Sequence, residues 1–415
     1  MNSATRVRAG VSIVAGIGAL AFLVMVFLEG PRVDFRVYLT GADALLDGVP
    51  LYADVGIRTT KIFLPFTYPP FAAVVLIPFT LVAKPVALTA WLLLSLASLV
   101  GIAVMTATRL PALANRTATK STVQQLAVLV FVLAAISEPI SKNFSLGQVN
   151  LFIVVALMYD TLNRTRFTGY LTGIAAGFKV TPGIFILLML ATRRWADAAR
   201  AIIGLVATLT IGALFGVNQV VEYWTSVLFD VSRVGDPDRL SNASLQGAIY
   251  RILGEDSASR LIWLALALII LGGGIAVATF WWNRSRLLAA GIVGLTSLII
   301  SPVSWVHHWV WIVPVAGACV ALALRARGHS QRGVLAALVA AALLTAVPPI
   351  IQWRYQWTSL LPFSNANNAV IVGGGYATAA VATIALLAVA LRLPKGDYEP
   401  DPVPPILREQ PTDAR

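Results

Sequence analysis

The sequence predicts an all-α polytopic membrane protein, and three observations carry that prediction. Of 415 residues, 58% are hydrophobic and only 12% are charged, against about 25% charged in soluble domains. The mean hydropathy is +0.80. Four runs, 11–28, 87–105, 261–280 and 369–391, match or approach the roughly 18 to 20 apolar residues with which a helix spans a bilayer.

Taken in order, the apolar runs predict about twelve membrane helices, near 11–28, 87–107, 123–137, 149–162, 167–178, 180–192, 199–217, 260–282, 288–300, 308–325, 334–350 and 370–392. The first follows Arg6 and Arg8 as a signal peptide would. It is long, however, and runs into Glu29-Gly30-Pro31-Arg32 rather than a small-x-small cleavage site, so it reads as a retained helix. This register places both termini in the cytoplasm. Before the tail, fifteen Lys and Arg then fall on the cytoplasmic side against only Asp160 and Asp197, while the opposite segments are balanced in charge. The net charge of +12 therefore belongs to short loops facing anionic headgroups and not to a nucleic-acid surface. The proline-bracketed stretch 67–79 is expected to form a short outer-face or re-entrant helix, and spans of about twelve to fifteen residues must extend into their flanks or be broken helices buried in protein. The expected organisation is one transmembrane domain, 1–392, and a disordered, Pro-rich cytoplasmic tail, 393–415. Cys319 stands alone in an apolar run, which leaves no disulfide framework and no cysteine metal site.

The long polar segments, 29–86, 138–148, 218–259, 301–307 and 351–369, all fall on the outer side, and a chain that places its loop length on one face works there. In 29–86, Asp34 lies about six residues beyond the first helix. Partial dehydration there raises a carboxyl pKa and suits a general base, the alternative being an ordinary capping Asp. Asp43 and Asp47, beside Leu45 and Leu46, look like the solvated face of a juxtamembrane helix. Gln148 and Asn150, following Ser145 and Gly147, stand at the start of an apolar helix, where their amides either meet sugar hydroxyls or cap the helix. Asn242, Ser244 and Gln246 make a similar cluster on the largest outer segment. Lys179, in GFKVTPG, is a cation at membrane depth that faces a cavity or snorkels, and the break at Pro182-Gly183 frees backbone groups suited to a cavity wall. His307 and His308 are adjacent; on a helix they point about 100° apart, so one would meet a ligand while the other packs. Metal binding by the pair is not expected, because the i, i+4 spacing and a carboxylate cluster are missing. Arg354, in QWRYQW, is an outer cation that binds phosphate or rests at the interface.

These residues leave open an enzyme acting on a lipid-borne substrate or a transporter. The ordered series VDFRVY (33–38), YPPF (68–71), LGQVN (146–150), FKVTPG (178–183), NASLQG (242–247) and SPVSWVHHW (301–309) resembles glycosyltransferase family 87, the polyprenol-phosphate-mannose-dependent mannosyltransferases of mycobacteria and related actinobacteria. The resemblance covers roughly 30–310. It implies a GT-C-type fold with Asp34 as catalytic base, with Lys179, His307, His308 and Arg354 turned to the donor phosphate and Gln148, Asn150, Asn242 and Gln246 to sugar. The implied reaction is inverting transfer of mannose from polyprenyl-phosphate-mannose to the 2-hydroxyl of a phosphatidylinositol mannoside or lipomannan, at the outer (periplasmic) face of the plasma membrane. An apolar groove formed by 68–79 and its neighbours would hold the polyprenyl chain. No cofactor is expected, and a monophosphate leaving group can depart without a metal where fixed cations stabilise it. An arabinofuranosyltransferase using decaprenyl-phospho-arabinose shares this logic and stays open. So does a lipid or solute transporter with a broken helix at Lys179–Pro182, although no inverted repeat is present.

Overall fold

The computed structural model describes residues 30–59, 63–114, 116–239 and 241–326, together with 377, 380, 381, 384 and 385. The expected helices 11–28 and 334–350, most of 370–392, the tail 393–415 and Arg354 lie outside the described residues.

The chain is helical, with one short hairpin among the described residues that the all-α reading did not contain. Helix α1, Val33–Leu46, leads into strands β1, Gly56–Arg58, and β2, Phe63–Pro65, which pair antiparallel. Helix α2, Pro70–Thr80, begins with a proline at its first position, where no amide hydrogen is needed. Helices α3, Lys84–Ala107, and α4, Leu110–Leu113, follow. Helix α5, Lys120–Ala135, is capped by Thr119, whose hydroxyl accepts from the Thr122 amide at 3.1 Å. Helix α6, Glu138–Leu146, turns 69° away from α5, with Pro139 in its first turn preventing continuation. Then come α7, Asn150–Leu162, α8, Tyr170–Phe178, and a 3₁₀ turn at Thr181–Gly183 leading to α9, Ile184–Ala191. The break that sequence places at Pro182-Gly183 is this turn. Helices α10, Trp195–Leu214, α11, Val217–Thr225, α12, Leu245–Leu253, α13, Ser257–Trp282, α14, Arg286–Ile300, and α15, Ile312–Ala326, complete the described chain.

By length and composition, four helical stretches suffice to cross a bilayer: Lys84–Leu113, Trp195–Leu214, Ser257–Trp282 and Val306–Leu324. Counting the bent pair α5–α6 as one span gives five. Helix α14 is buried on every side from Leu287 to Ile299, which marks it as the centre of the bundle. By contrast α13 turns Leu261, Leu268 and Ile269 outward, at 66 to 68% exposure, as a helix facing acyl chains would. Small residues set the closest approaches. A Cβ at Gly173 of α8 would overlap the Ala201 carbonyl oxygen of α10, and one at Gly177 would overlap Thr208. At one end of the bundle, Asp160 accepts from the amides of Gly169 (2.9 Å) and Thr172 (3.1 Å) and so caps α8, while Asp197 pairs with Arg194 and Arg200. The two carboxylates that sequence sets against the basic cytoplasmic loops are thus both engaged within the protein.

Gly173→Val is therefore expected to push α8 off α10 and to lower stability by about 1–3 kcal/mol, read as a fall in the unfolding midpoint in detergent. Gly272→Ala on α13, where an added methyl meets open space, is expected to leave the midpoint unchanged or slightly raised.

Candidate active site

The first turn of α1 is anchored on the end of α6. Arg32 takes a left-handed backbone conformation (φ 50°), its amide donates to the Ser145 carbonyl at 3.1 Å, and its guanidinium donates to the Phe144 carbonyl. Gly147 ends α6 at φ 74°, a conformation glycine adopts without strain, and a Cβ there would sit 2.7 Å from the Cβ of Phe35. Trp91 closes the junction by donating its indole N–H to the Gly147 carbonyl at 3.0 Å. These contacts set Asp34 beside Gln148 and place Tyr38, one turn on, along the same face of α1.

Asp34, Tyr38, Tyr68, Gln148, Asn150, Lys179, His307 and His308 line one cavity of about 520 Å³, within the size range of small-ligand sites. Their hydrogen bonds fix each other's orientation. Gln148 Oε1 accepts from the Tyr38 hydroxyl (3.1 Å) and from Asn150 Nδ2 (3.3 Å), which leaves the Gln148 amide nitrogen to donate to Asp34. The Tyr68 hydroxyl lies 3.1 Å from that of Tyr38. Asn150 Nδ2 also donates to the His307 carbonyl at 3.0 Å, and Asn143 Nδ2 donates to the same oxygen at 2.6 Å. Asn150 Oδ1 accepts from Lys179 Nζ at 2.9 Å. Lys179 Nζ stands 3.3 Å from His308 Nε2 and 5.7 Å above the Tyr68 ring. An ammonium only donates, so its bond assigns the lone pair of His308 to Nε2 and the ring proton to Nδ1.

Burial pushes the Asp34 carboxyl up to about 6; the hydrogen bond from Gln148 and the charge of Lys179 restrain that rise. At neutral pH the group is largely ionised, yet basic enough to take a proton from a bound hydroxyl. Burial also raises both Tyr38 and Tyr68, which remain neutral hydrogen-bonding groups.

Six of the site residues read from sequence therefore meet in one cavity. Two details differ from the sequence reading, and one choice it left open is decided. The turn carrying His307 and His308, Val306–Trp311, is 3₁₀ rather than α, and both rings line the cavity in edge-to-face contact, with centroids 4.6 Å apart. Gln148 and Asn150 form the network instead of capping α7, which has no side-chain cap. Asn242 and Gln246 are absent from the cavity lining. Asn242 is fully buried: its Nδ2 donates to the carbonyls of Pro237 (2.7 Å) and Pro302 (3.0 Å), and its Oδ1 accepts from the amides of Ser244 (3.1 Å) and Ser304 (2.9 Å). With its hydrogen-bonding capacity filled, it joins two loops and has nothing left for a sugar. Gln246 donates to the Tyr250 hydroxyl at 2.9 Å inside its own helix. Sequence reasoning missed Asn143, Tyr68 and Tyr38; the i, i+4 spacing of Asp34 and Tyr38 was the available signal for the last. Among the described residues no three His, Cys, Asp or Glu side chains group as metal ligands.

Apolar helices long enough to cross a bilayer, and a cavity in which polar side chains and a carboxyl poised to exchange a proton near neutrality converge, are the features of a membrane-embedded enzyme. Residues 66–302 match glycosyltransferase family 87, and the chain belongs to that family. Over 403 residues, 91% of this chain and 89% of the relative, it is 31% identical to the polyprenol-phosphate-mannose-dependent α-(1-2)-phosphatidylinositol mannoside mannosyltransferase of Mycolicibacterium smegmatis. A Mycobacterium tuberculosis protein of the same description is 32% identical over 373 residues, 85% of this chain and 83% of the relative. A polyprenol-phosphate-mannose-dependent α-(1-2)-phosphatidylinositol pentamannoside mannosyltransferase of M. smegmatis is 35% identical over 311 residues, 73% of each chain.

Gln148→Leu removes the hydrogen bond that favours the Asp34 carboxylate. The acid limb of glycosyl transfer is expected to move to higher pH than in the wild type, measured as the pH profile of kcat/KM.

Proposed function

We propose that the protein is an inverting α-(1→2)-mannosyltransferase that moves mannose from polyprenyl-phosphate-mannose to the 2-hydroxyl of a phosphatidylinositol mannoside or lipomannan. The observation that carries this reading is the shared cavity of Asp34 and the Lys179–His308 pair. The donor and the phosphatidylinositol mannoside acceptor are those named in the descriptions of the relatives; lipomannan rests on the family resemblance alone.

Asp34 acts as the general base. The acceptor oxygen attacks the anomeric carbon while the bond from that carbon to the phosphate oxygen breaks, and the electron pair leaves with the polyprenyl phosphate. The proton of the acceptor hydroxyl passes to Asp34. One displacement inverts a β-linked donor to an α-linked product. Lys179, and the Nδ1–H of His308, supply positive charge and a donor where negative charge grows on the departing phosphate. Gln148 and Asn150 orient these groups and offer the remaining amide edges to sugar hydroxyls. The fold is taken as GT-C-type, and the basic loops hold the face opposite the cavity in the cytoplasm, so the cavity opens outside.

Asp34→Asn, compared at equal folded yield in nanodiscs with this donor and a phosphatidylinositol mannoside acceptor, is expected to lose about 100- to 10,000-fold of transfer. Undiminished transfer by the variant would remove Asp34 as base. Transfer by the wild type from decaprenyl-phospho-arabinose and not from the mannose donor would replace the sugar assignment. In the wild type the rate is expected to fall as pH drops through about 6 and Asp34 takes up a proton. Because the leaving group is a monophosphate met by fixed cations, EDTA is expected to leave the rate unchanged.

A further inference from the structure

A second cation of the cavity wall has a geometry that the proposed chemistry does not use. Arg233 lines the cavity from the one-turn 3₁₀ segment Val231–Arg233. Its Nε and Nη2 are shielded from solvent and have no hydrogen-bond partner. These two nitrogens form one edge of the guanidinium, and their N–H bonds run parallel. That edge accepts two oxygens of a phosphate or carboxylate side by side.

Arg233 makes no ion pair among the described residues; Glu222 is the carboxylate that shares its neighbour Tyr52. Arg239, the other arginine of this loop in the cavity wall, pairs with Asp236 at 3.3 Å. Lys179 is held by Asn150 and His308. Asp230, three residues before Arg233, accepts from the Ser232 hydroxyl at 2.5 Å. The loop itself is fastened: Arg251 Nη1 donates to the carbonyls of Arg239 (2.9 Å) and Asn242 (3.0 Å), and Asn242 ties the loop to Pro302. A buried donor edge without a partner costs free energy, and a ligand that brings two anionic oxygens removes that cost.

We infer that Arg233 binds the phosphate of a lipid ligand through its Nε–Nη2 edge, as a contact separate from the Lys179–His308 pair. The choice of a lipid phosphate rests on the transferase reading. The donor lipid and a phosphatidylinositol-based acceptor both carry the group, and the experiment separates them.

The test uses full-length protein in nanodiscs of uncharged lipid, with binding measured directly and no turnover required. The probes are polyprenyl phosphate, phosphatidylinositol and uncharged polyprenol, against wild type, Arg233→Gln and Arg233→Lys. Arg233→Gln is expected to weaken polyprenyl phosphate tenfold or more while leaving polyprenol unchanged, with Arg233→Lys in between because a point charge lacks the fork. Weakening confined to phosphatidylinositol assigns the phosphate to the acceptor instead. Equal binding of both phosphate lipids by Arg233→Gln and wild type overturns the inference. An equal loss of polyprenol binding also overturns it, since that marks a structural role. If Arg233→Gln does not fold, wild-type affinity in Arg233→Lys overturns the fork geometry. Absence of mannosyl transfer by a wild type that still shows the Arg233-dependent binding would count against the function alone.

Discussion

Two side-chain amides, those of Asn143 and Asn150, converge on one backbone oxygen, the carbonyl of His307, and the cavity is organised around that meeting. The bond joins the α6–α7 corner to the 3₁₀ turn across more than 150 residues of chain. It also decides the orientation of Asn150: with its nitrogen committed to the carbonyl, the amide oxygen faces Lys179. Lys179 then fixes His308, and the Asn150 nitrogen helps hold Gln148, which reaches Asp34. A buried polar network of this kind holds well only when every member is satisfied, because a removed partner leaves the others desolvated and unpaired.

The separation of charges follows from the same arrangement. Asp34 and Lys179 share the cavity, but no ion pair between them is present among the described residues. Neutral amides and phenols stand around them. A direct Lys–carboxylate contact would hold Asp34 well down and leave it a poor base. Kept at a distance, the lysine only moderates the rise caused by burial, so the carboxyl stays near 6. The position of Asp34 in the first turn of α1 adds the favourable end of the helix dipole to the anion.

Much of the helical layout was legible in the sequence, because apolar run length and capping are local properties. The spans read at 87–107, 149–162 and 260–282 correspond to Lys84–Ala107, Asn150–Leu162 and Ser257–Trp282. The hairpin at 56–65 and the 3₁₀ geometry at 306–311 were not, since three-residue strands carry no period and adjacent histidines read alike in either helix type. Lys179 was recognisable as a charge set where apolar residues would be expected, and Asp34, Gln148 and His308 as polar groups where the outer segments meet apolar runs. Arg233 was not, for an arginine in a long polar loop looks solvated until its unpaired edge is seen. Asn242 misled for the opposite reason: an amide that binds a sugar and one that binds carbonyls are the same residue, and only the fold supplies its partners.

That last residue limits what sequence variation can do here. Asn242 presents two donors and an acceptor used twice, all within one buried side chain. Aspartate would keep the acceptor and place a charge against two carbonyls; glutamine would carry the same groups one methylene too far; leucine would strand three backbone groups, the Pro302 carbonyl alone keeping a second partner in the Ser244 hydroxyl. The position is closed to substitution for reasons unrelated to any ligand. An asparagine retained there by a related chain would accordingly testify to how two loops are tied, and would carry no information about which sugar that chain transfers.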